Sequence, residues 1–170
     1  MRRAEHGVVR RTGRFAIAVT ALLLVAAAAA IAATGTGVTT HQTKRGKVLA
    51  AASNGHTLYL FVHDSGKTSR CYGQCATFWP PLLTNGKPVA AKGSGVNAKL
   101  LGTTRRTNGK LQVTYNGHPV YLYKLDTKAG QITGEGANQF GGKWYILSTS
   151  GNAIKPKSSG GLCNPLCPGY

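Results

Sequence analysis

The chain has 170 residues, and 21 Lys and Arg residues against four Asp and Glu residues give it a formal net charge of +17. This length allows one domain, and the first three dozen residues do not belong to it. Three acids lie beyond residue 33, at Asp64, Asp126 and Glu135, so a glycosidase-type carboxylate pair lacks its parts. The sequence has no nucleophile elbow, phosphate loop or zinc-protease helix either. We therefore expect no enzyme activity and no cofactor.

The N terminus has the pattern of an export signal. Five arginines precede residue 15, and residues 15–33 form an uncharged run rich in Ala, Leu, Val and Ile. Such a run is long for the apolar part of a signal peptide and about long enough to span a bilayer as a helix. Residues 1–33 are therefore predicted to be a signal peptide or a membrane anchor. The positive-inside rule leaves the rest secreted or anchored to the outer face of the cytoplasmic membrane.

The exported part remains strongly basic. Beyond residue 33 it keeps sixteen Lys and Arg residues and three acids, and 16 − 3 gives a net charge of +13. A large positive charge raises the affinity for polyanions in general. We expect an anionic cell-wall polymer or membrane surface as partner, and no specific nucleic acid. Solubility alone is the competing explanation of the charge.

The organisation of the exported part follows from composition. Residues 34–46 are rich in Thr, Gly and Lys without an apolar period, which predicts a linker. Residues 47–154 are predicted to form a β repeat domain. Residues 155–170 read as a flexible tail that contains Cys163 and Cys167.

An internal repeat predicts the fold of this domain. Residues 54–64 align with residues 116–126 at an offset of 62, with six of eleven positions identical. Both copies begin with Asn-Gly between β-prone runs, which is typical of a β-hairpin with a type I′ turn. The prediction is a mainly β fold, a small antiparallel sheet or barrel-like domain of two pseudo-symmetric hairpin repeats, over residues 47–98 and 99–150. A further Asn-Gly at 108–109 predicts a three-stranded meander over residues 100–126, and residues 143–148 a last strand.

The repeat motif also predicts which side chains share a face. Alternation places Tyr59, Phe61 and His63 on one face of a strand and Leu58, Leu60 and Val62 on the other. Large side chains on both faces indicate a strand that is covered on both sides. A short helix is expected over residues 71–78, where prolines end it. Four further aromatics are predicted in the core, at Tyr72, Trp79, Trp144 and Tyr145.

The motif copies resemble a known family. Tyr59-x-Phe61-x-x-Asp64 and Tyr121-x-Tyr123-x-x-Asp126 are similar to a secreted bacterial repeat family described as lipoproteins with a Tyr-x-(Phe/Trp/Tyr)-x-x-Asp motif. The resemblance covers about residues 46–150 and implies a secreted repeat whose function is not established. Lipoprotein members carry a cysteine for acylation directly after the apolar run, whereas the first cysteine of this chain is Cys71.

The two motif aspartates have two interpretations. Asp64 and Asp126 end their strands, where a carboxylate accepts backbone N–H bonds and fixes a turn. Alternatively, they line a symmetric pocket for a small ligand or a metal together with His56 and His118, which occupy matching positions. The turn interpretation is favoured, and no metal is expected.

The cysteines are disulfide candidates because the chain is exported to an oxidising compartment. Cys71, Cys75, Cys163 and Cys167 allow three pairings, which the sequence leaves open. Four thiolates would also satisfy tetrahedral zinc. A redox partner acting through these cysteines is a further alternative, although the redox motif has two intervening residues instead of three.

Overall fold

The structure is a computed structural model that describes Met1 and residues 35–155. The predicted signal or anchor and the tail cysteines Cys163 and Cys167 lie outside these residues. Within the described part, no helix is long and apolar enough to cross a membrane.

The regular secondary structure of residues 35–155 consists almost entirely of short strands. In chain order the elements are β1 (Gly37–Thr43), β2 (Gly46–Ala51), β3 (Tyr59–Phe61), α1 (Gln74–Phe78), β4 (Leu83–Thr84), β5 (Val89–Ala90), a 3₁₀-helix (Ala98–Leu100), β6 (Leu101–Arg105), β7 (Leu111–Tyr115), β8 (His118–Pro119), β9 (Asn138–Gln139) and β10 (Gly142–Ile146). The mainly β fold class is confirmed, as is a single short helix ahead of the prolines at 80–81.

The strands form three small sheets. Their orders are β2-β1-β5, β3-β10-β9 and β4-β7-β6, with β8 also paired to β7. All pairs are antiparallel except β1 with β5, which is parallel. Isolated bridges join the sheets: Val48 pairs with Ser148, and Tyr59 pairs with Tyr121. The predicted meander over residues 100–126 is present as β6-β7-β8.

The predicted linker is wrong for most of its length. Residues 37–43 form β1, which pairs antiparallel with β2 over six residue pairs from Val38–Ala51 to Thr43–Gly46. Threonine is β-branched and suits a pleated strand, although a run of threonines shows no apolar alternation. Only Val38 of this strand is fully buried, so the apolar period that would have indicated a strand is missing.

The two Asn-Gly turns differ from each other. Asn116 and Gly117 both have positive φ, at 48° and 79°, and they close the two-residue hairpin between β7 and β8 as predicted. In the first copy only Gly55 has positive φ, and the turn has four residues because the amide of Ala51 donates to the carbonyl of His56. The first copy therefore carries a wider turn than the second.

A pseudo-twofold axis relates the two repeats. The amide of Tyr59 donates to the carbonyl of Tyr121 at 2.8 Å, and the amide of Tyr121 donates to the carbonyl of Tyr59 at 2.9 Å. This reciprocal exchange is the pattern that a twofold axis produces when equivalent segments meet. The duplicated motif segments therefore meet at one antiparallel bridge between equivalent tyrosines.

The core has two parts, one on each side of the motif strands. An aliphatic part contains Leu58, Leu60 and Val120, and an aromatic part contains Tyr59 and Phe61. The predicted two-sided burial is confirmed up to Phe61. It fails for the strand end, because Val62 is 56% exposed and His63 is exposed as well.

The aromatic part contains a column of four stacked rings. Trp79 and Trp144 lie at its centre with ring centroids 3.9 Å apart. Phe61 stacks on Trp144 at 4.0 Å, and Tyr123 stacks on Trp79 at 4.1 Å. Each tryptophan thus stacks on the other and on one motif residue, which places the contact between the repeats inside the core.

Candidate functional site

The motif tyrosines and aspartates are paired across the two repeats. The hydroxyl of Tyr59 donates to Oδ2 of Asp126 at 2.5 Å, and the hydroxyl of Tyr121 donates to Oδ2 of Asp64 at 2.8 Å. Each tyrosine therefore binds the aspartate of the other copy and not the one five residues ahead of it. Because each pair takes its tyrosine from one copy and its aspartate from the other, both copies of the motif must carry both residue types.

The second carboxylate oxygen of each aspartate closes the loop that follows it. Oδ1 of Asp64 accepts from the amide of Arg70 at 2.7 Å. Oδ1 of Asp126 accepts from the amide of Thr133 at 2.9 Å and from its hydroxyl at 2.5 Å. The carboxylates fasten loops of six and seven residues, so each reaches well past the immediate turn.

Burial sets the protonation chemistry of these pairs. Loss of solvation raises the pKa of Asp64 to about 6, although the amide of Arg70 and the hydroxyl of Tyr121 both favour its ionised form. Burial, followed by the hydrogen bond to Asp126, raises the pKa of Tyr59 far above its usual range. Burial and the charge of Asp64 raise the pKa of Tyr121. Both tyrosines therefore remain neutral donors.

A buried arginine extends the network beside Tyr121. Arg106 is 4% exposed, and its Nη1 donates to Gln112 at 2.6 Å and to the hydroxyl of Ser69 at 2.9 Å. Its Nη2 donates to the carbonyl of Cys71 at 2.6 Å. Arg106 lies in the turn between β6 and β7, and its guanidinium packs against the loop that follows Asp64.

The four residues of the predicted ligand pocket each have partners within the fold. The carboxylates of Asp64 and Asp126 are bound to the tyrosines and to their own loops. His56 and His118 lie at the turns, where the amide of His56 donates to Oδ1 of Asn54 and His118 pairs with Tyr115. Across residues 35–155 no group of three or more His, Cys, Asp or Glu residues could hold a metal.

Cys71 and Cys75 form a disulfide that spans the start of α1. Both cysteines are buried in the aromatic part of the core. Of the four further aromatics predicted in the core, Trp79, Trp144 and Tyr145 are buried. Tyr72 is half-buried, and the Arg106 guanidinium lies 4.4 Å from its ring centre. Two of the four cysteines are therefore disulfide-bonded within the described residues.

One cavity carries buried charges that sequence reasoning missed. A cavity of about 620 Å³ lies between the β1–β2 turn, with Lys44 and Arg45, and the loop after Asp126. Nη2 of Arg45 and Oε1 of Glu135 are buried in its wall 3.6 Å apart, and neither makes a hydrogen bond with a described residue. Burial raises the pKa of Glu135. No sequence pattern indicates this cavity, because Arg45 falls in the segment predicted as a linker.

The surface carries basic side chains without acidic counterparts. Fifteen Lys and Arg residues occur in residues 35–155; of these, Arg106 is buried, Arg45 is half-buried and the other thirteen are exposed. None of the three acids in this range is exposed. Asp64 and Asp126 bind tyrosines, and Glu135 accepts from the amide of Ile146 at 2.8 Å. The three acids therefore bind partners within the fold, and the exposed charged side chains of residues 35–155 are all basic.

These features define a class of protein: a β module in which two sequence repeats are joined by reciprocal strand pairing, stacked tryptophans and crossed tyrosine–aspartate pairs. A family model described as a secreted repeat of unknown function matches residues 39–83 and 102–148. The chain belongs to this family of secreted repeats, so its described domain lies outside the cell. No curated protein and no solved structure matches the chain.

Proposed function

We propose that this protein is a non-enzymatic module of the cell envelope that associates with an anionic wall polymer or membrane surface. The observation that carries the proposal is that the exposed charges all have one sign. Among residues 35–155, thirteen basic side chains are exposed and no acid is. Each Lys or Arg near an anionic lipid surface contributes on the order of 1 kcal/mol to binding. A few of these side chains facing the surface together are enough for reversible association.

The use of the acids in the interior supports the same proposal. An average surface mixes both signs of charge, whereas here all three acids in residues 35–155 are occupied within the fold. The only ion pair in this range joins Arg45 to Glu135. No exposed lysine of residues 35–155 forms an ion pair with a described acid, so their charges are available to an external polyanion.

The test uses the chain from residue 34 onward, because residues 35–155 contain both parts of the core described above. Sedimentation with vesicles containing anionic lipid, with neutral vesicles and with cell-wall preparations, each at low and high salt, separates the surfaces. We expect binding to at least one anionic surface that weakens as salt rises, because exposed charges are screened. Indifference to every anionic surface at low salt would refute the proposal.

Matched variants locate the binding face. Lys44→Gln/Lys47→Gln neutralises two charges in and beside the β1–β2 turn, and Arg105→Gln/Lys110→Gln neutralises two charges in and beside the β6–β7 turn. Both pairs are exposed, so neither change disturbs the core. If one face meets the surface, one pair lowers binding several-fold more than the other at the same net charge. Equal loss from both pairs indicates association without a preferred face.

A further inference from the structure

The polypeptide enters the described domain along a path that three hydrogen bonds fix. The amide of Thr36 donates to Oγ1 of Thr84 at 3.0 Å, and the hydroxyl of Thr36 donates to the carbonyl of Leu83 at 2.7 Å. The carbonyl of Thr36 in turn accepts from the amide of Val89 at 3.1 Å. The chain is therefore held to both β4 and β5 before β1 begins.

This path leaves almost no tether between the domain and the apolar run of the N terminus. Gly35 lies so close to β5 that a Cβ at this position would overlap the carbonyl of Lys87. The apolar run ends at residue 33, so only residue 34 separates it from the first fixed residue of the domain. Adjacent Cα atoms are about 3.8 Å apart. A run that is retained in the bilayer therefore keeps the entry point of the chain at the membrane surface.

The segment around the entry point alternates between exposed and covered positions over residues 83–90. Two of its outward side chains are aliphatic, since Leu83 is 36% exposed and Val89 is 50% exposed. Asn85 and Lys87, which lie between them in the chain, are exposed as well. A surface that presents apolar and basic side chains side by side suits the membrane interface, where apolar groups enter the acyl boundary and lysines meet the headgroups.

Two further basic side chains border this segment. Arg105 and Lys110 line a cleft of about 390 Å³ together with Leu83, and both are exposed. Nη1 of Arg105 donates to the carbonyl of Gly109 at 2.8 Å, which holds the guanidinium at the β6–β7 turn. No acid of residues 35–155 is exposed to oppose these charges. Five residues together form what we call the entry surface: Leu83, Lys87, Val89, Arg105 and Lys110.

We propose that the entry surface lies on an anionic lipid bilayer, with its two aliphatic side chains in the interfacial layer and its three cations at the headgroups. This inference rests on the proposed function and names one partner for it, a membrane in place of a wall polymer. A polar polymer would satisfy the charges but offers no apolar phase to the aliphatic side chains. The short tether favours the same partner, because attachment through the apolar run gives the entry surface a high effective concentration of lipid.

Two variants with the same residue types removed test the aliphatic contact. Leu83→Ser/Val89→Ser changes the entry surface, whereas Val62→Ser/Leu125→Ser changes positions that are 56% and 57% exposed elsewhere. Sedimentation with anionic vesicles compares both variants with the wild type, each as the chain from residue 34 onward. We expect the first variant to bind about fivefold more weakly or worse, because its apolar contact with lipid is lost, and the second to stay within about twofold. Dispersed amide spectra of the free variants establish that they are folded.

A lipid with a paramagnetic headgroup identifies the surface that faces the bilayer. Amide signals of the chain from residue 34 onward are recorded with small anionic bicelles that contain this lipid, and signals near the paramagnetic centre broaden. We expect stronger broadening at residues 83–90 and 105–110 than at residues 62–64 and 124–126. The same bicelles without the paramagnetic lipid provide the reference intensities.

The inference and the proposed function fail in different ways. Equal binding of anionic vesicles by the two serine variants, or broadening centred away from residues 83–90, would overturn the entry surface and leave the proposed function in place. Binding to wall preparations without binding to anionic vesicles would do the same. Indifference to every anionic surface at low salt would remove the proposed function and the entry surface with it.

Discussion

The hydroxyl of Tyr59 has a specific role that the packing of its ring does not replace. Asp126 is 2% exposed, and Tyr59 is the donor to its Oδ2. We expect Tyr59→Phe to reduce the free energy of unfolding by about 1–3 kcal/mol, because a buried carboxylate oxygen loses its partner. Urea denaturation followed by tryptophan fluorescence measures the loss. Tyr121→Phe is the parallel test of the other pair, and we expect a loss in the same range: Asp64 is only half-buried, but the buried Ser69 also loses its hydrogen bond to the hydroxyl.

Asp64 gives the stability of the protein a pH dependence with a definite sign. Its pKa in the folded state is raised to about 6 by burial, above the value of about 3.9 for an unfolded chain. Between these values the folded state binds more protons than the unfolded state, so the contribution of Asp64 to stability decreases as the pH rises from about 4 to about 6. Unfolding free energies of the wild type and Asp64→Asn, measured across this range, isolate the effect. A wild type that gains stability relative to Asp64→Asn as the pH rises would contradict the assignment.

At the level of the elements, the disulfide supports the segment that positions Trp79. Cys71 and Cys75 close a five-residue loop at the start of α1, and the amide of Trp79 donates to the carbonyl of Cys75 at 2.8 Å. For so short a loop, chain entropy predicts a stabilisation of about 2 kcal/mol. We expect Cys71→Ala/Cys75→Ala to lower the free energy of unfolding by about that amount while the near-UV spectrum of the tryptophan stack persists. Loss of that spectrum in a folded variant would show that the bridge also places Trp79.

Elements that are specified by local residues can be predicted from the sequence, whereas elements that depend on partners distant in the chain cannot. Asn116-Gly117 specifies its turn by backbone conformation alone, so the β7–β8 hairpin is predictable. β1 is missed because its threonines are half-buried between β2 and β5, and no apolar alternation marks it. The link between Tyr59 and Asp126 is hidden for a different reason. The motif places Tyr59 five residues before Asp64, which suggests no link to Asp126. The link forms only when the two copies pair and each tyrosine meets the aspartate of the other copy.

For the whole molecule, the crossed contacts make each repeat incomplete without the other. Trp79 of the first repeat stacks on Trp144 of the second, and each motif tyrosine binds an aspartate of the opposite copy. A single repeat would expose its half of the ring column and leave its aspartate without the tyrosine. An isolated repeat is also very short, and chains of that length bury too little surface to be stable without further constraints.

This interdependence predicts the behaviour of a divided chain. Cutting between Lys92 and Gly93, a turn between β5 and the 3₁₀-helix, gives fragments 34–92 and 93–170 that each contain one motif copy. We expect each fragment alone to lack dispersed amide signals, and an equimolar mixture to recover them together with the near-UV signal of the stacked tryptophans. Tyr59→Phe in the first fragment should weaken reassembly about tenfold or more, because the buried carboxylate of Asp126 then has no donor. An independently folded fragment 34–92 would mean that the repeats are separate domains and that the crossed pairs are incidental to folding.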